Sequence, residues 1–211
     1  MKNTKPSYFL KGAALAFSLS CVSTVAQANS IHFQAVLSGA AEAPPNASPG
    51  TGWADVYFDD VAQTMQVVVS FSGLLAGTTA SHIHAATAAP NTGTAGVATQ
   101  TPTFTGFPTG VTSGTYDHIF DLTQTSTFNG SYVTANGGTA AGASAALEAA
   151  LLGDRAYLNI HSGQFPGGEI RGFLHNVPDT TSTLFLLSAA LGGIAYFAKW
   201  RRIGVPAQTR A

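Results

Sequence analysis

Apolar and polar positions alternate through most of residues 31–174, and this alternation predicts β-strands. A strand turns every second side chain to the same face, as Met65, Val67, Val69 and Phe71 show. The same pattern predicts strands over residues 31–38, 53–59, 64–71, 80–85, 115–122, 156–161 and 169–174. Runs of Gly, Pro, Thr and Asn separate these segments, as turns require.

One segment departs from the strand pattern and predicts a short helix. It runs from Ser144, a residue type that caps helix N-termini, to Gly153, a residue type that ends helices. Several short strands with a single small helix predict an all-β fold, which we expect to be an antiparallel β-sandwich with one short helix.

The N-terminus has the composition of a secretory signal peptide. Lysines precede the apolar run 12–25, and Ala26-Gln27-Ala28 forms a cleavage site of the A-x-A type. We expect residues 1–28 to be removed and the mature chain to begin near Asn29. The only cysteine, Cys21, lies inside this segment, so the mature domain is expected to hold together without disulfides.

The C-terminus has the order of a sorting or anchoring signal. The motif residues Val177, Pro178, Asp179, Ser182 and Thr183 precede an apolar run over 184–198, which a basic cluster then closes. The pattern predicts a membrane-spanning segment at 184–198 with the domain outside the cell. The order resembles the PEP-CTERM tails of exosortase substrates, in a VPDxxST variant. This resemblance implies that an exosortase-like protease processes segment 177–211 during sorting to the cell surface. A plain C-terminal anchor is the alternative.

Residues 29–176 are long enough for one domain with a substantial core. Between residues 29 and 178 the chain has nine acidic residues but only two basic ones, Arg155 and Arg171, a net charge of about −7. Nucleic-acid binding through a basic patch is therefore excluded.

Polar side chains share strand faces near the end of the predicted domain. Asn159 and His161 lie two residues apart on one strand, and His82 and His84 do so on an earlier strand. Three imidazoles suit Zn²⁺ or Cu²⁺, so His82, His84 and His161 are candidate metal ligands. Asn159 is expected to orient a ligand ring, and Glu42 or Glu169 to supply an oxygen ligand.

A purely structural reading of these residues remains open. Glu42 or Glu169 would pair with Arg171, because a buried guanidinium favours a carboxylate partner. The histidines would then bond to loop backbone, and Glu42, Asn159, Glu169 and Arg171 would form a structural polar cluster. His32 and His175 are expected at the surface, and His118 on a strand face.

Several short motifs occur in an order that resembles the CHRD domain, named after chordin. They run from about Ile31 to Leu174: Phe33-x-Ala35-x-Leu37-Ser-Gly39, Ala41-Glu42-Ala-Pro44-Pro45, Gly50-x-Gly52-x-Ala54, Ser81-His82-Ile-His84, Tyr157-x-Asn159-x-His161 and Gly168-Glu169-Ile-Arg171-Gly172. The resemblance implies an extracellular β-sandwich.

The function expected from the sequence is that of an exported bacterial protein of the cell surface or extracellular matrix, with a structural or adhesive role among envelope or matrix components. One alternative is a Zn- or Cu-binding module. A second is a metalloenzyme similar to superoxide dismutase. No nucleophile-elbow motif is present, so the sequence does not predict an enzyme.

Overall fold

A computed structural model describes residues 30–178 of the chain. The predicted signal peptide, the span at 184–198 and the motif residues Asp179, Ser182 and Thr183 lie outside the described residues. Val177 and Pro178 lie inside them, and the Val177 amide donates to the His32 carbonyl. Within residues 30–178, no helix has the length and apolar character needed to cross a membrane.

Within residues 30–178, eight antiparallel strands form one continuous, strongly curled sheet, a half-barrel. The strands are β1 (Ile31–Ser38), β2 (Thr51–Asp59), β3 (Thr64–Ser72), β4 (Thr78–His84), β5 (Gly114–Asp121), β6 (Tyr157–Ser162), β7 (Ile170–Phe173) and β8 (His175–Asn176). Their order in the sheet is β4-β6-β7-β1-β2-β3-β5, and β8 pairs with β1. The prediction of an all-β fold is confirmed.

The core lies on the concave side of the sheet, where the alternating apolar residues meet in register. Phe33 of β1 lies opposite Val56 of β2, which lies opposite Val67 of β3, and all three are fully buried. Phe104, from the long β4–β5 connection, packs against the Phe120 ring of β5 at 5.3 Å between centroids. The alternation that predicted the strands therefore also builds the core.

The described part of the chain has two α-helices, where one was predicted. They are α1 (Gly130–Ala135) and α2 (Ala140–Leu152). The expected N-cap at Ser144 is wrong, because Thr139 caps α2 by accepting a hydrogen bond from the Gly142 amide, and Ser144 is buried inside the helix. Gly153 ends α2, as predicted. The six residues of α1 are too few to show a helical period.

Strands β4, β6 and β7 position the polar residues that the sequence singled out. In the β4–β6 register, His82 lies opposite Asn159 and Ala80 lies opposite His161. In the β6–β7 register, Asn159 lies opposite Arg171. Because directly paired residues and those two positions away share a face, these side chains all project from one face of the sheet.

The sheet has one close approach between strands that only glycine allows. Gly172 of β7 lies beside β1, and a Cβ there would run into the backbone carbonyl of Val36. We predict that Gly172→Ala lowers the free energy of unfolding by about 1–3 kcal/mol, because backbone has to move to relieve the overlap. Urea denaturation measures the change. Gly96→Ala is the matched control, since a Cβ at Gly96 meets open space; equal losses in both variants would contradict the close approach.

Candidate metal centre

Three histidines from two neighbouring strands converge on one point. His82 and His84 come from β4 and His161 from β6, and one ring nitrogen of each lies within 4.8 Å of the others. The His161 ring centroid is 4.7 Å from that of His82 and 5.9 Å from that of His84. All three side chains are buried. The structure therefore brings together the three residues that the sequence named as candidate ligands.

Backbone carbonyls fix the orientation of the rings. The Nδ1 atom of His84 donates to the Ala95 carbonyl at 2.9 Å, and Nδ1 of His161 donates to the Pro166 carbonyl at 3.0 Å. Because a carbonyl oxygen only accepts, Nδ1 of His84 and His161 carries the proton and Nε2 keeps its lone pair.

The remaining ring nitrogens face one another. Nδ1 of His82 lies 3.3 Å from Nε2 of His84, and Nε2 of His161 is buried without a hydrogen-bond partner. Two nitrogens bound tetrahedrally to one Zn²⁺ at 2.0–2.1 Å would be about 3.3 Å apart. Nδ1 of His82 and Nε2 of His84 therefore already have the separation of two metal ligands. The unpartnered lone pair beside them is that of His161 Nε2.

Burial keeps the imidazoles neutral. The pKa of His82 is lowered to about 3, mainly because burial desolvates the ring and in part because His161 and His84 lie beside it. Desolvation also lowers the pKa of His84, to about 4, and that of His161. A neutral imidazole is the form that binds a metal ion, so these residues need not lose a proton to bind one near neutral pH.

The two candidate oxygen ligands lie elsewhere. Within residues 30–178, the group of residues able to hold a metal ion contains the three histidines and neither Glu42 nor Glu169. Glu42 instead approaches Arg171, with 3.8 Å between Oε2 and Nε. Glu169 accepts hydrogen bonds from the Ser48 hydroxyl at 2.7 Å and the Leu75 amide at 2.6 Å. Glu42 is therefore the carboxylate partner of Arg171. Glu169 instead links the two loops that contain Ser48 and Leu75.

Asn159 belongs to the carboxylate side of the polar cluster. The Asn159 and Glu42 side chains meet at Gly168, where a Cβ would lie 2.5 Å from the Asn159 Nδ2 and 2.7 Å from the Glu42 Oε1. Gly168, with φ of +133°, therefore leaves space for both groups. Burial raises the pKa of Glu42 to about 7 against the opposing effect of Arg171. The role of Asn159 in orienting a histidine ring stays a prediction.

A stack of three side chains joins the two parts of the cluster. The Tyr157 ring lies parallel to the His84 ring, with 4.8 Å between centroids and 3° between planes. The Arg171 guanidinium lies 4.6 Å from the Tyr157 centroid. Sequence reasoning did not assign Tyr157 a role. The signal was present, because Tyr157 occupies the same strand face as Asn159 and His161.

The other histidines lie apart from the centre. His32 is half-buried rather than at the surface, because its Nε2 contacts the Asp55 carboxylate at 2.8 Å and its ring stacks on Tyr57. His175 is exposed and contacts Asp154 at 3.0 Å. His118 lies half-exposed on a face of β5, as expected.

The comparison with known protein families identifies the domain that contains these residues. The family profile described as the CHRD domain matches residues 33–174. The chain belongs to the CHRD domain family. No curated protein and no solved structure matches it at a significant level. The CHRD match spans all three histidines and the Glu42–Arg171 pair, so the candidate centre is part of the CHRD domain.

The buried histidines make the stability of the metal-free domain depend on pH. A folded-state pKa below the usual 6.5 means that stability is full above pH 6.5 and falls as the pH drops toward about 3 for His82. His82→Gln should reduce the loss of unfolding free energy between pH 7 and pH 5 by about 2 kcal/mol. Urea denaturation with a chelator present measures it, and His118→Gln is the control. An unchanged slope in His82→Gln would contradict the neutral, buried assignment.

Proposed function

We propose that the CHRD domain of this protein binds one transition-metal ion, copper or zinc, through His82, His84 and His161. The observation that carries the proposal is the convergence of three buried ring nitrogens, one of which has no hydrogen-bond partner. Other buried atoms, such as Glu42 Oε1 and Asn159 Oδ1, also have no hydrogen-bond partner among the described residues, but Nε2 of His161 differs from them because two further imidazoles lie beside it. Three imidazole nitrogens at one point suit a cation better than they suit one another. Nitrogen ligands of this kind suit copper and zinc.

The ring environments support the proposal, because metal-bound histidines usually hydrogen-bond through their other nitrogen. His84 and His161 do this with the carbonyls of Ala95 and Pro166. The metal-free pair would share one proton, with Nδ1 of His82 donating to Nε2 of His84 across 3.3 Å. On metal binding, the His82 proton would move to the other ring nitrogen.

We further propose that the domain works outside the cell, at the surface or in the matrix, with a structural or adhesive role. The signal-peptide pattern of residues 1–28 and the tail pattern of residues 177–211 support export and sorting by an exosortase-like protease. The acidic composition and the lack of cysteine after Cys21 suit an exported domain that relies on its core. The metal would then serve the domain as a structural element or as bound cargo.

The metal proposal makes a direct prediction. The domain of residues 29–176, purified and incubated with Zn²⁺ or Cu²⁺, should retain about one ion per chain, measured by elemental mass spectrometry. The triple variant His82→Ala/His84→Ala/His161→Ala should retain none, because all three ligands are lost. At a free metal concentration 100 times the dissociation constant, binding should stabilise the parent by about 2.7 kcal/mol.

Two controls make this experiment decisive. His118→Ala removes a half-exposed histidine outside the centre and should leave the stoichiometry unchanged. Circular dichroism has to show that the triple variant is folded; if it is not, His161→Gln alone, which keeps a polar side chain, replaces it. A parent domain that retains neither metal, or a folded variant that retains as much as the parent, would sink the proposal.

Export makes a separate prediction. Expressed in a bacterium with an exosortase system, the full chain should yield a mature protein whose first residue is Asn29, read by N-terminal sequencing. Replacing Ala26 and Ala28 by bulky residues should block this cleavage, because signal peptidase requires small residues there. A protein that keeps residues 1–28 on the cell surface, or one that stays in the cytoplasm, would contradict the export proposal.

A further inference from the structure

The donor set of the candidate centre carries no negative charge. Its members are three neutral imidazoles, and within residues 30–178 no carboxylate or thiolate belongs to the group. All three histidines are buried, so little water remains beside them to compensate a bound ion. A divalent ion placed there would keep its full charge in a poorly solvated site, which is costly.

Two buried carboxylates lie outside the ligand group. Oε1 of Glu169 accepts hydrogen bonds from Ser48 and Leu75, and Oε2 of Glu42 lies 3.8 Å from Nε of Arg171. The second oxygen of each carboxylate is buried without a hydrogen-bond partner among the described residues, but neither residue belongs to the group that could hold the ion. The ligand group itself therefore supplies no counter-charge.

The charged side chain that stacks toward the centre is a cation, Arg171. Arg171 is buried, and its guanidinium stacks on Tyr157, which stacks on His84, in two steps of 4.6 and 4.8 Å. The Arg171 charge is one of the influences that disfavour a proton on His84. A cation bound to the His84 ring meets the same repulsion. This repulsion is proportional to the charge of the ion, so it is twice as large for a divalent ion as for a monovalent one.

The number of ligands also favours Cu⁺ over Zn²⁺. Zn²⁺ in proteins almost always has four ligands, and a site with three protein ligands needs a water or substrate in the fourth position. Cu⁺ is monovalent and accepts three neutral nitrogen ligands as a complete set. Imidazole is also a suitable ligand for copper. The three-histidine set thus leaves Zn²⁺ one ligand short but is sufficient for Cu⁺.

We infer that the centre is a cuprous site, which binds Cu⁺ in preference to Zn²⁺ and Cu²⁺ because its ligands are neutral and the nearest stacked charge is the Arg171 cation. The inference rests on the proposed metal-binding function and specifies its ion. It makes the protein a handler of reduced copper, and it makes Arg171 a specificity-determining residue that acts through Tyr157 without contacting the ion.

The test is a pair of affinity measurements on the same protein at pH 8. Cu⁺ affinity is measured without oxygen, with ascorbate present, by competition with bicinchoninate. Zn²⁺ affinity is measured by competition with a chromogenic zinc chelator. Cu⁺ should bind at least about 100-fold more tightly than Zn²⁺. A 100-fold preference for Cu⁺ over Cu²⁺ would also raise the reduction potential of the bound copper by about 120 mV over that of the aqueous couple.

Charge variants separate this inference from simple ligand strength. Arg171→Gln should raise the affinity for Zn²⁺ about tenfold more than that for Cu⁺, because removing one positive charge helps a divalent ion twice as much. Glu42→Gln, which removes the partner charge at nearly constant size, should shift the ratio in the opposite direction. Arg155→Gln is the matched control, since Arg155 is the other arginine between residues 29 and 178 and donates to the Thr87 carbonyl.

The outcomes separate the cuprous assignment from the metal-binding function on which it rests. Zn²⁺ binding as tight as Cu⁺ binding, or a ratio that neither charge variant moves, would overturn the cuprous assignment and leave the metal-binding function intact. Failure of the parent to bind either ion would overturn both. If Arg171→Gln does not fold, as judged by circular dichroism, Glu42→Gln and the parent affinities carry the test.

Discussion

The antiparallel register between β4 and β6 is the constraint on which the candidate centre depends. It places His82 opposite Asn159 and His161 opposite Ala80, so that all the imidazoles project from one face. A slip of one residue in this pairing would turn His161 to the core side and bring Ile160 out. The buried apolar side chains of β4 and β6, such as Ile83 and Ile160, hold the register from the opposite face. The core therefore fixes the geometry of the site.

The face of the sheet that carries the histidines holds two groups of polar side chains. Glu42, Asn159 and Arg171 form a polar cluster in which a carboxylate lies beside a guanidinium. The histidines form a neutral group whose third member, His161, has an unsatisfied nitrogen. Tyr157 lies between the two and touches both. The structural and metal-binding readings of the sequence thus describe neighbouring parts of one surface.

Much of this arrangement could be predicted from the sequence, because it follows from side chains alternating along strands. The period of two places His82 with His84 and Asn159 with His161 without any knowledge of the fold. It cannot show which strands become neighbours, so the choice of Glu42 over Glu169 as the partner of Arg171 was open. The orientations of the histidine rings could not be predicted from the sequence either, since they depend on carbonyls in distant loops, such as that of Ala95. The start of α2 was placed too late, at Ser144, whereas the helix begins at Ala140 with Thr139 as its N-cap; both residues are of types that cap helices, and the sequence alone does not show which one does.

The central claim is that one metal ion lies between His82, His84 and His161. X-ray absorption spectroscopy at the metal edge of the loaded domain tests it most directly, because it reports ligand type, number and distance together. The account predicts three imidazole nitrogens at about 2.0–2.1 Å, with the imidazole scattering reduced by about one third in any His161→Gln protein that still binds the metal. A shell made mainly of oxygen ligands, or a spectrum that His161→Gln leaves unchanged, would place the metal elsewhere and contradict the account.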